Sequence, residues 1–139
     1  MVQYQKKLFL KKKKLGITEY ISDKFNVKNN AMLIYNKKLS VCPITTHVPI
    51  KFVAKTITQK LIIDKIKLIN YFYKQKLKKK PKIAVLGLNP HNSELRKNSE
   101  ESKIILPAIL DLKKKGLDIK GPYVADTIFI NEFRKFDLI

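Results

Sequence analysis

The 139-residue sequence predicts an α/β fold, in which short buried strands alternate with helices. Three observations carry that reading. Ile83-Ala84-Val85-Leu86 runs without a polar break between the Pro81-Lys82 punctuation and Gly87, the pattern of a strand buried on both faces. From Thr58 onward, apolar residues recur instead at helical spacing: Leu61, Ile62, Ile66, Ile69, and then Phe72 or Tyr73. Finally, His47 and His91 each follow a strand-like run and sit beside a proline. Strand exits are where open α/β sheets carry their functional groups.

In chain order, Met1 to Lys14 is basic, with room for one strand over Lys7 to Leu10 and a solvated turn over Lys11 to Lys14. Gly16 permits a tight entry into a short helix that ends by Phe25, with Thr18 as its N-cap. Asn26 to Asn30 is a polar turn. Two apolar runs, Ala31 to Tyr35 and Leu39 to Ile44, are joined by Asn36-Lys37-Lys38 and predict a hairpin. Pro43 makes the second run an edge strand or ends it early. Phe52, Val53 and Ile57 share a short helical face. The longer helix from Thr58 ends in a solvated lysine-rich stretch over Lys74 to Lys80, where positive charge suits the macrodipole. Tyr71-Phe72-Tyr73 reads as core and rim rather than as a base-stacking platform.

A polar loop follows His91. Asn98 and Glu101 have capping-box spacing and open a helix that Gly116 stops after Lys115; Pro107 must kink it or start a second turn. Leu117 to Ile119 predicts a short strand, Gly121-Pro122 a turn, and Phe136 to Ile139 the first residues of another buried strand. No internal boundary divides residues 1–139, which read as one incomplete α/β unit.

Composition sets the outer bounds. Apolar residues make up 45% of the chain, enough for a real core. No apolar run approaches membrane-spanning length, and Leu8-Phe9-Leu10 is too short for a signal-peptide core. The single cysteine, Cys42, excludes a disulfide framework and reads as a buried reduced thiol rather than a nucleophile. These features predict a cytoplasmic protein. The net charge of +19 favours nucleic acid or anionic surfaces, and a lysine-rich nucleic-acid-binding module is the rival reading from another class. Almost all of that charge is lysine, however, since Arg96 and Arg134 are the only arginines. Arginine is the side chain that reads phosphates and guanines with geometry, so no specific nucleic-acid partner is expected.

For a lone histidine the bland reading is a loop imidazole in water. Here the only two histidines of the chain occupy matching strand exits. Two imidazoles from adjacent strand ends can point into one crevice and share a divalent metal.

Ile44-Thr45-Thr46-His47-Val48-Pro49, Ile83-Ala84-Val85-Leu86-Gly87-Leu88-Asn89-Pro90-His91 and Gly121-Pro122-Tyr123-Val124-Ala125-Asp126-Thr127-Ile128-Phe129 occur in that order. They resemble the 4-hydroxythreonine-4-phosphate dehydrogenase family, the NAD-dependent enzymes of pyridoxal phosphate synthesis. The resemblance extends over nearly the whole chain and covers a middle portion of the family's usual length. It implies a three-layer α/β/α fold of the isopropylmalate-dehydrogenase type. The chemistry it implies is oxidation of a secondary alcohol by hydride transfer to NAD, then decarboxylation of the β-keto acid. A divalent cation (zinc, magnesium or cobalt) would polarise first the hydroxyl and then the carbonyl oxygen. His47 and His91 would be two of its ligands; in the family the third is a histidine beyond the Phe136 to Ile139 strand, supplied across a homodimer interface. Neither this chain nor the family carries a Gly-x-Gly-x-x-Gly dinucleotide fingerprint.

By the same resemblance Thr18 contacts the phosphorylated substrate. The family's preceding histidine is Ile17 here, which can neither donate a hydrogen bond nor carry charge, so the substrate is either 4-phosphohydroxy-L-threonine or a related phosphothreonate. His91-Asn92-Ser93-Glu94 and Leu95 to Ser99 match the family's His-Ala-Gly-Glu and glycine-rich loop only in part. Asn89, Glu94 and Asp126 stand as outer partners of the site, with Asp126 reading equally well as a helix cap. Two histidines leave a catalytic metal one protein ligand short of the usual three, so the 139-residue segment is expected to be inactive alone.

Overall fold

The computed structural model describes residues 16–89, 91 and 96–139. The strand expected over Lys7 to Leu10 and the loop residue Glu94 fall outside them. Strand β1 (Ile83–Leu86) pairs in parallel with β2 (Ile119–Tyr123) on one side. On its other side, Leu138 forms parallel bridges to both Ile83 and Ser40. The ladder is closed by Ala84 N–H donating to the Leu138 carbonyl (2.8 Å), Ile139 N–H to Ser40 (3.0 Å) and Cys42 N–H to Ile139 (2.9 Å). Laterally the order is therefore residues 40–42, residues 137–139, β1 and β2, all running the same way. Outermost lies Ile34, antiparallel to Val41. The expected hairpin is thus reduced to one bridge, and Pro43, which has no N–H, follows the last paired residue.

Alternate side chains of these strands face opposite ways, as strands buried on both faces require. Ile83, Ile119 and Leu138 pack with Ile62, Ile66, Ile69 and Tyr73 of α3 (Gln59–Lys76) and with Ile109 and Leu112 of α4 (Leu106–Lys114). Ala84 and Ile139 face the other way, against Ile128 of α5 (Ala125–Asn131) and Phe136. Of the two aromatic candidates on α3, Tyr73 turns inward, and its hydroxyl donates to the Asp137 carbonyl (3.2 Å). Thr58 caps α3 as expected, accepting from Leu61 N–H at 3.1 Å. The Asp137 carboxylate is held by the Lys79 ammonium and by Lys82 N–H (2.9 Å). Burial acts to raise the Asp137 pKa; these bonds outweigh it and bring the group below the ordinary carboxylate value.

Several local expectations are corrected. Gly121-Pro122 is no turn but lies inside β2, where Ala84 faces Lys120 while Leu86 faces Tyr123. One strand therefore uses an extra residue, and such a bulge accommodates a proline. Gly121 is required there: its φ is +139°, and an added Cβ would lie 2.3 Å from the Val85 carbonyl oxygen. Thr18 is not the cap of α1 (Ile17–Lys24); Gly16 is, and no side chain caps the helix. Asn98 does not cap the third long helical stretch either, because Ser99 Oγ accepts from Ser102 N–H (3.3 Å). Pro107 leaves its mark one turn earlier, in a π-helical turn (Glu101–Ile105) whose widening spares the carbonyl that the proline ring would strike. No helix among the described residues is long and apolar enough to cross a membrane.

Candidate functional site

Because Ser40 and Ile83 are both level with Leu138 in parallel register, their two segments leave the same end of the sheet. His47 follows one exit and His91 the other, two strand positions apart, or about 10 Å across the ladder. An apolar cavity of about 250 Å³ opens between the exits, walled by Cys42, Pro43 and Ile44 on one side and Leu86, Gly87 and Leu88 on the other. Burial pushes the Cys42 thiol up and Lys65 opposes it, leaving the thiol rather than the reactive thiolate as the favoured form.

The two histidines also share a backbone state. Among the described residues four non-glycine residues have positive φ, and two of them are His47 (+55°) and His91 (+53°). Such conformations persist only where surrounding structure over-determines them, and they gather at functional sites. Each histidine has its own surroundings. The His47 ring lies over the α-carbon of Gly16: a Cβ built there would be 2.2 Å from Cδ2, 2.3 Å from Nε2 and 2.6 Å from Glu19 Oε2. Glu19 Oε1 accepts from the Thr46 hydroxyl at 2.9 Å, while Oε2 is buried without a hydrogen-bond partner. An imidazole and an orphaned carboxylate oxygen around one point suit a cation. Near His91, Asn89 is tied down by its backbone N–H and side-chain amide, both donating to Glu101, and by the same amide donating to Glu100 (2.9 Å).

The structure therefore brings His47, Gly16 and Glu19 together, sets Thr18 on the same short helix, and ties Asn89, in the segment leading to His91, to Glu100 and Glu101. Asp126 lies exposed in the first turn of α5 and caps nothing. Among the described residues, no three of His, Cys, Asp and Glu group as a complete metal site. The donor set present still fits a divalent cation in part, through two exposed imidazoles and the unpartnered Glu19 oxygen. Glu19 and Glu101 were not singled out by sequence reasoning as site residues. For Glu101 a signal existed: it is the lone charge on the stripe Glu101, Ile105, Ala108, Ile109, Leu112.

Comparison with known proteins gives concordant matches. The family described as "Pyridoxal phosphate biosynthetic protein PdxA" matches residues 5–139. A 4-hydroxythreonine-4-phosphate dehydrogenase of Sulfurihydrogenibium sp. (strain YO3AOP1) is 45% identical over 88% of this chain. A D-threonate 4-phosphate dehydrogenase of Salmonella typhimurium is 32% identical over 89% of it. The chain spans 38% of the length of each of these relatives. Among solved structures, a 4-hydroxythreonine-4-phosphate dehydrogenase from Klebsiella pneumoniae superposes with a TM-score of 0.78 at 32% identity, covering 88% of this chain and 38% of its own.

Proposed function

The chain belongs to the PdxA family of pyridoxal phosphate biosynthetic proteins, and from that premise we propose that it carries two metal ligands and part of the substrate site of an NAD-dependent 4-phosphohydroxy-L-threonine dehydrogenase. The observation that supports this best is the parallel ladder, whose exits send His47 and His91 to one end of the sheet. A divalent cation held there by His47 and His91 would polarise the substrate hydroxyl, and NAD would take the hydride. The chain's own groups do the remaining work. Gly16 leaves room for the His47 ring, and Glu19 lies against that ring. The first turn of α1 has no side-chain cap and presents Thr18, and helix N-termini favour phosphate. The apolar exits wall the crevice against water. Apolar clusters on both faces of the sheet support the finer fold reading, a three-layer α/β/α unit of the isopropylmalate-dehydrogenase type. We place the reaction in the cytoplasm and in a homodimer, with the remaining metal ligand drawn from sequence beyond these 139 residues.

A second substrate has a specific argument. Ile17 opens α1 with 61% of its surface exposed and offers no polar group to a substrate. That change alters what α1 offers the substrate, and D-threonate 4-phosphate, the substrate in the name of the Salmonella relative, is the second candidate. Zinc affinity by chelator competition tests the ligand pair: His47→Ala and His91→Ala should each weaken binding tenfold or more. Unchanged affinity in either variant rejects the pair. NAD reduction with both phosphorylated substrates, measured on protein translated together with its flanking codons, separates the two substrates.

A further inference from the structure

We infer that Glu101 is the positioning residue for His91, holding by hydrogen bonds the turn that presents the imidazole. This deepens the reading of His91 as a cation ligand and rests on it.

The starting point is a carboxylate where an apolar side chain belongs. Glu101 is fully buried, at the head of a helical stripe that continues through Ile105, Ala108, Ile109 and Leu112, all at most 3% exposed. Desolvating a carboxylate is unfavourable unless donors replace its water. Besides its own backbone N–H and the Ser99 side chain, the donors come from one short segment twelve to thirteen residues earlier in the chain. Oε1 accepts from the backbone N–H of Leu88 and of Asn89, both at 2.8 Å, and the Asn89 amide reaches both carboxylate oxygens, at 3.2 and 3.1 Å. The neighbouring Glu100 accepts from the same amide.

The geometry of that pair of backbone bonds matters. In an extended strand, successive N–H groups point to opposite sides. Leu88 and Asn89 send theirs to a single oxygen, which requires a bent backbone. Glu101 therefore closes β1 and sets the turn, and His91 stands two residues beyond Asn89 with φ at +53°. A capping role would have kept the Glu101 side chain at its own helix end, in water. It reaches instead across to the β1 exit.

The test uses protein translated together with its flanking codons, zinc as probe, and amide hydrogen exchange. Glu101→Gln keeps the size but loses one acceptor oxygen and the charge. We expect exchange at Leu88 and Asn89 to speed up at least tenfold relative to α3, and zinc affinity to fall about tenfold, as for other outer partners of metal ligands. In a His91→Ala background the same substitution should change zinc affinity no further, because Glu101 acts only through His91. Equal losses in both backgrounds, or unchanged exchange at Leu88 and Asn89, overturn the assignment. If Glu101→Gln does not fold, Asn89→Ala removes the amide donor alone and should move both readouts in the same direction. If wild type binds no zinc, the ligand reading fails, and the exchange comparison by itself decides whether Glu101 sets the turn.

Discussion

Replacing Gly16 by alanine tests the setting of His47 with two effects of opposite sign. Gly16 is extended (φ −158°, ψ 176°), a conformation open to every residue, so the substitution brings no backbone strain. The new methyl would nevertheless fall 2.2 Å from His47 Cδ2 and 2.3 Å from Nε2. Comfortable carbon contacts need about 3.5–4.0 Å, so the ring must retreat by roughly 1.5 Å. Overpacking costs about 1–3 kcal/mol, and the low end applies because the contact is an exposed side chain rather than backbone. Alanine also restricts the unfolded chain, which stabilises by about 0.4–1 kcal/mol. The net change in folding stability should therefore stay within about 1 kcal/mol, while zinc affinity falls by about ten- to hundredfold as the ring is displaced. Urea denaturation and chelator competition on the same samples separate these effects. In a His47→Ala background the clash with the ring is gone and only the 2.6 Å approach to Glu19 Oε2 remains, so Gly16→Ala should destabilise less. Retained zinc affinity, or a destabilisation undiminished without the imidazole, would refute the placement of His47 over Gly16.

Two further outcomes are expected. Thr58→Ala removes the acceptor of Leu61 N–H and should lower stability by about 1 kcal/mol in urea titrations, with no effect on zinc binding. Glu101 and Asp137 both have folded pKa values held below the ordinary carboxylate range: burial raises each, but hydrogen bonds from Asn89 in one case, and from Lys79 and Lys82 in the other, outweigh it. Their stabilisation is thus present above the unfolded pKa of about 4 and is lost as pH falls through the lower folded values. Urea midpoints should drop on acidification below about pH 4, and Asp137→Asn should flatten that slope.

What the sequence revealed follows the range of the interactions involved. β1 and α3 were legible because burial on both faces and helical periodicity are local patterns, and Thr58 reads as a cap from its neighbours alone. The matched exits of His47 and His91 were legible for the same reason. Thr18 was misplaced as a cap because the true cap position must lack a Cβ to admit a ring from thirty-one residues further on, a tertiary demand. Glu101 has the spacing of a capping-box partner, and only its long-range donors on Leu88 and Asn89 explain why it turns inward. Gly121-Pro122 has the composition of a turn; the Val85 carbonyl lying against Gly121 is what keeps it in the sheet.

The extra residue in β2 acts on parity. Before it, Ile119 sends its side chain to the layer of α3 and α4; after it, Tyr123, four positions on, points to the opposite layer and meets the Phe136 ring edge-on at 5.4 Å. An even step along a strand normally returns to the same face, so one inserted residue decides which odd-numbered side chains belong to which half of the protein. Regularising the strand with every residue kept would turn Tyr123 toward α4 and leave Phe136 and Ile128 without their aromatic neighbour, whereas deleting one residue within 120–122 makes the step from Ile119 an odd three and leaves Tyr123 facing Phe136. The Gly-Pro pair thus works as a counting device, keeping the chain's two apolar alphabets from being read in the wrong frame.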